Sequence, residues 1–316
     1  MNRVLRIGTR GSQLALIQAE QVAAALKRQY STLATALVKI KTSGDKFSQI
    51  PLSQVGGKGL FIKEIEEALR AGHVDAAVHS MKDVPTEMAP GLEIAAILER
   101  QDPSDALISR RGKKLALLRR RARIGTSSLR RQAQLLSYRP DLRIVPLRGN
   151  LDTRLRKLTV DDLDAIVVAT AGIYRLGRQE EITEVLPFEV SVPAIGQGAL
   201  GVEVRADDQQ TRELVTPLDH RSSSLMVAAE RAFLGRLGGG CQVPIAAHAR
   251  LEGEQLHLTG LVIFPDGSRM VRGERSGSAD DVEAIGVALA ENLLRQGADR
   301  ILQELSATPV VPPGAP

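Results

Sequence analysis

The sequence predicts an α/β protein: two doubly wound units in tandem that form a cleft, followed by a small α+β domain. Three observations carry this prediction. Short apolar strands alternate with amphipathic helices as far as Arg205. The tetrapeptide Arg6-Ile7-Gly8-Thr9 recurs as Arg123-Ile124-Gly125-Thr126, and the same order of elements follows each copy. From Thr216 the pattern changes to one helix, three alternating strands and a second helix. A chain of 316 residues also exceeds the size at which a single core stops growing.

The elements follow in order. Val4 to Thr9 reads as a strand, and Ser12 caps a helix from Gln13 to about Arg28 with Leu14, Ile17 and Val22 on one face. Ala36 to Lys41 is the second strand. Thr42 to Gly59 is polar, glycine-rich and aperiodic, which predicts a mobile loop. Leu60 to Arg70 is an amphipathic helix, and the third strand, Val74 to His79, runs into Ser80-Met81-Lys82-Asp83-Val84-Pro85-Thr86. In the second copy a serine-capped helix spans Leu129 to Tyr138, Leu142 to Leu147 is a strand, and Leu151 to Leu158 is a helix. Asp164 to Thr170 (DAIVVAT) is a buried strand that parallels Asp75 to His79 (DAAVH). Ser191 to Arg205 then crosses back to the first unit as a hinge and strand, bent at Pro193, Gly196, Gly198 and Gly201.

In the last domain a helix from Ser222 to Leu237 ends at Gly238. Ile245 to Arg250, Gln255 to Phe264 and Ser268 to Glu274 alternate as antiparallel strands, with Pro265-Asp266-Gly267 as the hairpin turn. Asp280 to Leu305 reads as one long amphipathic helix, and the proline-rich Ser306 to Pro316 as a disordered tail.

Composition narrows the function. Cys241 is the only cysteine, so neither an internal disulfide nor a multi-thiolate zinc site is available. The five histidines lack metal-ligand spacing, and no metal site is expected. The N-terminus lacks a secretory apolar core and no segment is long enough to span a membrane, which points to a cytoplasmic protein. Arginine supplies 32 of the 42 basic residues, yet there is no Trp, with only 3 Tyr and 5 Phe to stack on bases, so nucleic acid is not the expected partner. Gly56-Gly57-Lys58-Gly59 lacks P-loop spacing, and no dinucleotide fingerprint opens either repeat.

In a doubly wound fold, ligands lie outside the carboxyl ends of the strands. Arg10 and Ser12 occupy that position in the first unit; Thr126, Ser127, Ser128, Arg130 and Arg131 occupy it in the second, with Arg148, Gly149, Asn150 and Arg154 after the next strand. A single arginine is ordinarily a solvated surface residue. Clusters at equivalent turns, beside helix N-termini, suit a ligand with several carboxylates or phosphates. Asp83 is the one acid at a strand end amid these bases, and Lys82 beside it favours its ionised form. The run Arg119-Arg120-Arg121, with Arg110, Arg111, Lys113 and Lys114, precedes a strand and reads as a solvated linker surface. Cys241, in Gly238-Gly239-Gly240-Cys241-Gln242-Val243-Pro244, reads either as a small buried hydrophobe or as a thiol presented for covalent chemistry. A polyanion-binding module and a cysteine-nucleophile hydrolase both remain open on these residues.

Seven separated motifs now fall into one order: RIGTRGSQLAL, VGGKGLF at Val55 to Phe61, DAAVHSMKDVPT, IGTSSLRRQAQL, LRGNLDTRL, AIGQGALGVE and GGGCQVPIAAHA. From about Arg6 to Leu305 the chain resembles the porphobilinogen deaminase family. The resemblance implies a transferase of tetrapyrrole biosynthesis that condenses four porphobilinogen molecules head to tail on a covalent dipyrromethane cofactor, releases ammonia each time, and frees hydroxymethylbilane. It implies a thioether to Cys241, a catalytic role for Asp83, and carboxylate binding by Arg10, Lys82, Arg130, Arg131, Arg148, Arg154 and Arg175. Ser12, Thr126, Ser127 and Ser128 would assist, with Gln197 near the cofactor and Lys58 and Phe61 bordering a covering loop. It implies three domains, 1–99 with 200–216, 100–199 and 217–305, the first two similar in fold to type II periplasmic binding proteins, and a monomer. The chain departs from the family most at Arg110 to Arg123, which is more basic than the usual connection before IGTSS.

Overall fold

A computed structural model describes residues 4–46, 62–238 and 243–307. Lys58, Phe61, Cys241, most of the expected 42–59 loop and the tail beyond 307 lie outside the described residues. The described chain separates into two compact units, one of 4–46, 62–101 and 198–225, the other of 102–197, 226–238 and 243–307.

In chain order the first unit contributes β1 (Val4–Arg10), α1 (Gln13–Gln29), β2 (Ala34–Ile40), α2 (Lys63–Arg70), β3 (Ala76–Ser80) and β4 (Leu92–Ile97). The second begins with β5 (Asp105–Ser109), β6 (Arg123–Gly125), α3 (Leu129–Tyr138), β7 (Arg143–Val145), α4 (Leu151–Val160), β8 (Ala165–Ala169), α5 (Thr170–Arg175) and β9 (Glu184–Val185). The chain then returns through β10 (Leu200–Arg205) and α6 (Gln209–Val215), and α7 (Arg221–Arg236) leads out again. The expected return of the crossing segment is therefore observed: β10 inserts antiparallel between β3 and β4.

The two five-stranded sheets share one plan. Their orders are β2-β1-β3-β10-β4 and β7-β6-β8-β5-β9, three parallel strands followed by an antiparallel fourth. The duplication reaches individual atoms. Arg6 N donates to Asp75 Oδ2 at 2.8 Å, and Arg123 N donates to Asp164 Oδ2 at 2.8 Å, so each repeat clips its first strand to the aspartate that precedes its third. The sequence reading missed β4, β5 and β9, short or edge segments whose pairing is set by long-range contacts rather than by local period.

Alternation along β3 and β10 sorts side chains onto the two faces of the first sheet. Ala76, Val78, Val202 and Val204 join Leu5, Ile7, Val22 and Leu26 in one core, while Ala77 packs with Ile65, Leu69 and Val74 beneath α2. Full burial of a leucine or isoleucine stabilises by about 1.5–3 kcal/mol, so these two layers dominate the unit. In the second unit Leu107, Ile124, Leu135 and Val167 lie on one side of the sheet, and Leu147, Ile166, Val168 and Ile173 on the other.

The C-terminal part forms an antiparallel sheet of β11 (Ile245–Glu252), β12 (Gln255–Ile263) and β13 (Met270–Ser278), backed by α8 (Val282–Leu293) and followed by α9 (Asp299–Ala307). The expected single helix over 280–305 is interrupted, because Gly297 takes φ 104 in a π turn at 294–298, a conformation open to glycine. The hairpin turn is as expected, and it docks on α3: Gln132 Nε2 donates to Pro265 O at 3.2 Å.

Candidate active site

In the first unit β1 and β3 are adjacent and parallel, so their carboxyl ends open on one edge. Arg10 ends β1, and Ser12 caps α1 by accepting from Ala15 N at 3.3 Å. Beyond β3 a 3-10 turn, Met81–Asp83, carries Lys82 and a half-buried Asp83. Three ties hold this turn. Gln18 Nε2 donates to Ser80 Oγ at 3.0 Å, Met81 N donates to Ala199 O at 3.0 Å, and the buried His79 meets Glu203 at 2.9 Å. His79 is thus a paired core histidine, in keeping with its apolar strand. Gly201 completes the seat, since a Cβ there would lie 2.3 Å from the Met81 sulfur.

In the second unit the carboxyl ends of β7, β6 and β8 lie side by side. Thr126, Ser127 and Ser128 follow β6, with Ser128 Oγ capping α3 at Arg131 N and Ser127 Oγ donating to Leu147 O at 3.0 Å. Arg148 follows β7, and Arg154 reaches back from α4 so that its Nε donates to Gly149 O at 2.8 Å. Arg175 ends α5, the helix that β8 runs into. Burial lowers the pKa of Arg148, and that of Arg175 to about 10, the mark of cations held partly out of water. The structure therefore gathers Arg148, Arg154, Arg175 and the three hydroxyls at one edge of the second sheet, and Arg10, Ser12, Lys82 and Asp83 at the equivalent edge of the first.

Arg130 and Arg131 sit differently, buried on α3 around Asp105. Arg130 grips Asp105 at 2.8 and 3.2 Å and also donates to Val192 O. Arg131 reaches it at 2.9 and 2.7 Å and donates to Val167 O and Gln197 Oε1. Ser191 Oγ and Gln197 Nε2 add bonds of 2.7 and 2.9 Å. Burial alone would raise the Asp105 pKa, but the two guanidinium charges outweigh it and hold the carboxyl well below the usual carboxylate range. Sequence reading missed Asp105 and Ser191. The available signal was the adjacent arginine pair itself, because buried guanidinium groups require a buried counter-charge.

Among the described residues, no group of three or more His, Cys, Asp or Glu is placed to hold a metal ion, and no helix is long and apolar enough to cross a membrane. Solved structures with likeness at low identity include the BvgS periplasmic VFT2 domain from Bordetella pertussis (12% identity, 68% of this chain and 86% of that chain, TM-score 0.41). The GluR0 ligand-binding core complexed with L-glutamate gives 13% identity, 68% and 90% coverage, and TM-score 0.41. Residues 5–213 match the family model described as porphobilinogen deaminase, dipyromethane cofactor binding domain, and residues 224–295 match its C-terminal domain. The chain is similar to the porphobilinogen deaminase of Geobacter metallireducens (56% identity, 95% of this chain and 94% of the relative). It is similarly related to those of Geobacter sulfurreducens (56%, 96% and 95%) and Pelotomaculum thermopropionicum (53%, 96% and 97%). With both family models matched in order and identity above half over nearly the whole length, the chain belongs to the porphobilinogen deaminase family.

Proposed function

We propose that the protein is a transferase that joins four porphobilinogen molecules head to tail on a dipyrromethane cofactor bound through Cys241. Ammonia leaves at each addition, and hydrolysis then frees hydroxymethylbilane. The observation that carries this reading is the row of cations and hydroxyls at the carboxyl ends of β7, β6 and β8, inside the span that matches the cofactor-binding domain. Each pyrrole ring bears an acetate and a propionate, and the donor set fits them: Arg148, Arg154 and Arg175 offer planar forks, Thr126 to Ser128 offer hydroxyls, and an anion offsets the desolvation that lowers Arg175. The cofactor supplies the nucleophilic pyrrole carbon to which the chain is added.

Asp83 is the catalytic residue in this reading. Its carboxylate stabilises the positive charge that develops on the substrate as ammonia departs, and the pinned Met81–Asp83 turn keeps it in place through the change. Arg10 and Lys82, on the same edge, orient substrate carboxylates, assisted by Ser12. Arg130 and Arg131 spend three and four of their five N–H donors on Asp105 and neighbouring groups, so their contribution to a bound ring is mainly to fix Gln197 and the sheet edge. The same reading assigns 1–99 with 200–216, 100–199 and 217–305 as the three domains of a monomeric, cytoplasmic enzyme without a nucleic-acid partner.

Intact mass of the purified protein tests the attachment. The expected result is an added dipyrromethane that disappears in Cys241→Ser, whereas an unmodified protein that still binds porphobilinogen without consuming it would leave only a binding module.

A further inference from the structure

A buried carboxylate outside the clusters described so far ties together three parts of the second unit. Glu230 lies on α7 with none of its surface exposed. Its Oε2 accepts from Gly196 N at 2.7 Å, and its Oε1 accepts from Ala249 N at 2.8 Å. One side chain thereby joins the helix that precedes 239–242, the strand β11 that follows, and the crossing segment.

The crossing-segment contact has a direct consequence. Gly196 precedes Gln197, whose Nε2 donates to Pro103 O at 2.7 Å and Asp105 Oδ1 at 2.9 Å and whose Oε1 accepts from Arg131. The next residue, Gly198, takes φ +91, and a Cβ there would lie 2.1 Å from Gln101 O. The segment is closely packed at this point, and the bond from Gly196 N to Glu230 fixes the backbone from which Gln197 meets the Asp105 cluster. A carboxylate suits the position because its two oxygens accept from these N–H groups; an amide would turn its NH2 group toward one of them.

We propose that Glu230 is a positioning residue for chain elongation: it acts through Gly196 and Gln197 on the arginine cluster, and its loss slows turnover without emptying Cys241. This rests on the function proposed above. The test is Glu230→Gln in the cofactor-bearing protein, measuring adduct occupancy by intact mass, thermal midpoint, and kcat and KM for porphobilinogen per adduct-bearing molecule. A misplacement of about 1 Å away from the reacting atoms can cost about 100-fold, so kcat is expected to fall about 10- to 100-fold. KM should stay within about twofold and the adduct should remain, a split that a merely stabilising role does not produce. Unchanged kcat per adduct-bearing molecule overturns the proposal, whatever happens to the midpoint. Should the Gln variant not fold, Glu230→Asp decides by the same quotient: both oxygens survive on a shorter stem, and a fall in kcat supports the proposal while parental kcat overturns it. A parent protein with no adduct and no consumption of porphobilinogen defeats the functional reading first, and this proposal with it.

Discussion

Two aspartates beside basic residues have opposite fates in this protein. Asp105 is wholly buried, receives two guanidinium groups, a serine hydroxyl and a glutamine amide, and is saturated. Asp83 follows Lys82 in a short turn at a strand end and is half-buried, its turn tied through Met81 N to Ala199 O. The contrast teaches that an acid amid arginines is not by itself a catalytic signal. A carboxylate whose acceptor sites are already filled gives rigidity, and one left at the sheet edge can answer a charge that appears during a reaction.

Substitution should separate the two most sharply at Asp105. Asp105→Ala leaves two buried guanidinium groups without their counter-charge, and urea unfolding is expected to show a loss of about 3–5 kcal/mol or failure to fold. A variant as stable as the parent would break the comparison. Asp83→Asn should do the reverse: stability within about 0.5 kcal/mol, the Cys241 adduct retained, and porphobilinogen consumption down about 100- to 1000-fold, the cost of losing a group aimed at developing charge. Full turnover by this variant would sink the catalytic assignment.

Arg175→Gln should have a smaller effect. Loss of one charge-assisted contact to a substrate or cofactor carboxylate is worth about 1.5–3 kcal/mol, read as weaker porphobilinogen binding or slower cofactor assembly in a protein that still folds.

Acid titration sharpens the same contrast. The folded Asp105 pKa lies below its unfolded value of about 3.9, so between those two values the unfolded chain binds the extra proton. The stability Asp105 contributes is therefore fully present above about pH 4–5 and is lost as pH falls toward the folded pKa. The difference in unfolding free energy between parent and Asp105→Asn should shrink on going from pH 6 to pH 3; a constant difference would contradict the assigned pairing. The smallest effect is expected for Arg119→Gln, an exposed side chain of the basic 110–123 stretch that pairs with Asp164. Turnover and thermal midpoint should both stay at parental values.

The sequence by itself determined a good deal. The order of most strands and helices, the serine caps at Ser12 and Ser128, the duplicated RIGT units, the hairpin turn at 265–267 and the turns that carry candidate ligands depend on residues close in the chain, where period and capping chemistry act. The seven motifs likewise sufficed to place the family.

Tertiary structure decided the rest. In sequence Arg130, Arg131, Arg148, Arg154 and Arg175 looked alike, and only the fold divided them into a pair locked on Asp105 and a set at the sheet edge. The locking contacts join residues 25 to 92 positions apart, as from Arg130 to Asp105 and from Gln197 to Asp105. The same holds for His79 with Glu203, 124 positions apart, and Glu230 with Gly196, 34 apart. Such pairings have no local period to betray them, because what fixes them is the cost of burying a charge or an amide without a partner, and that cost exists only once the chain has packed.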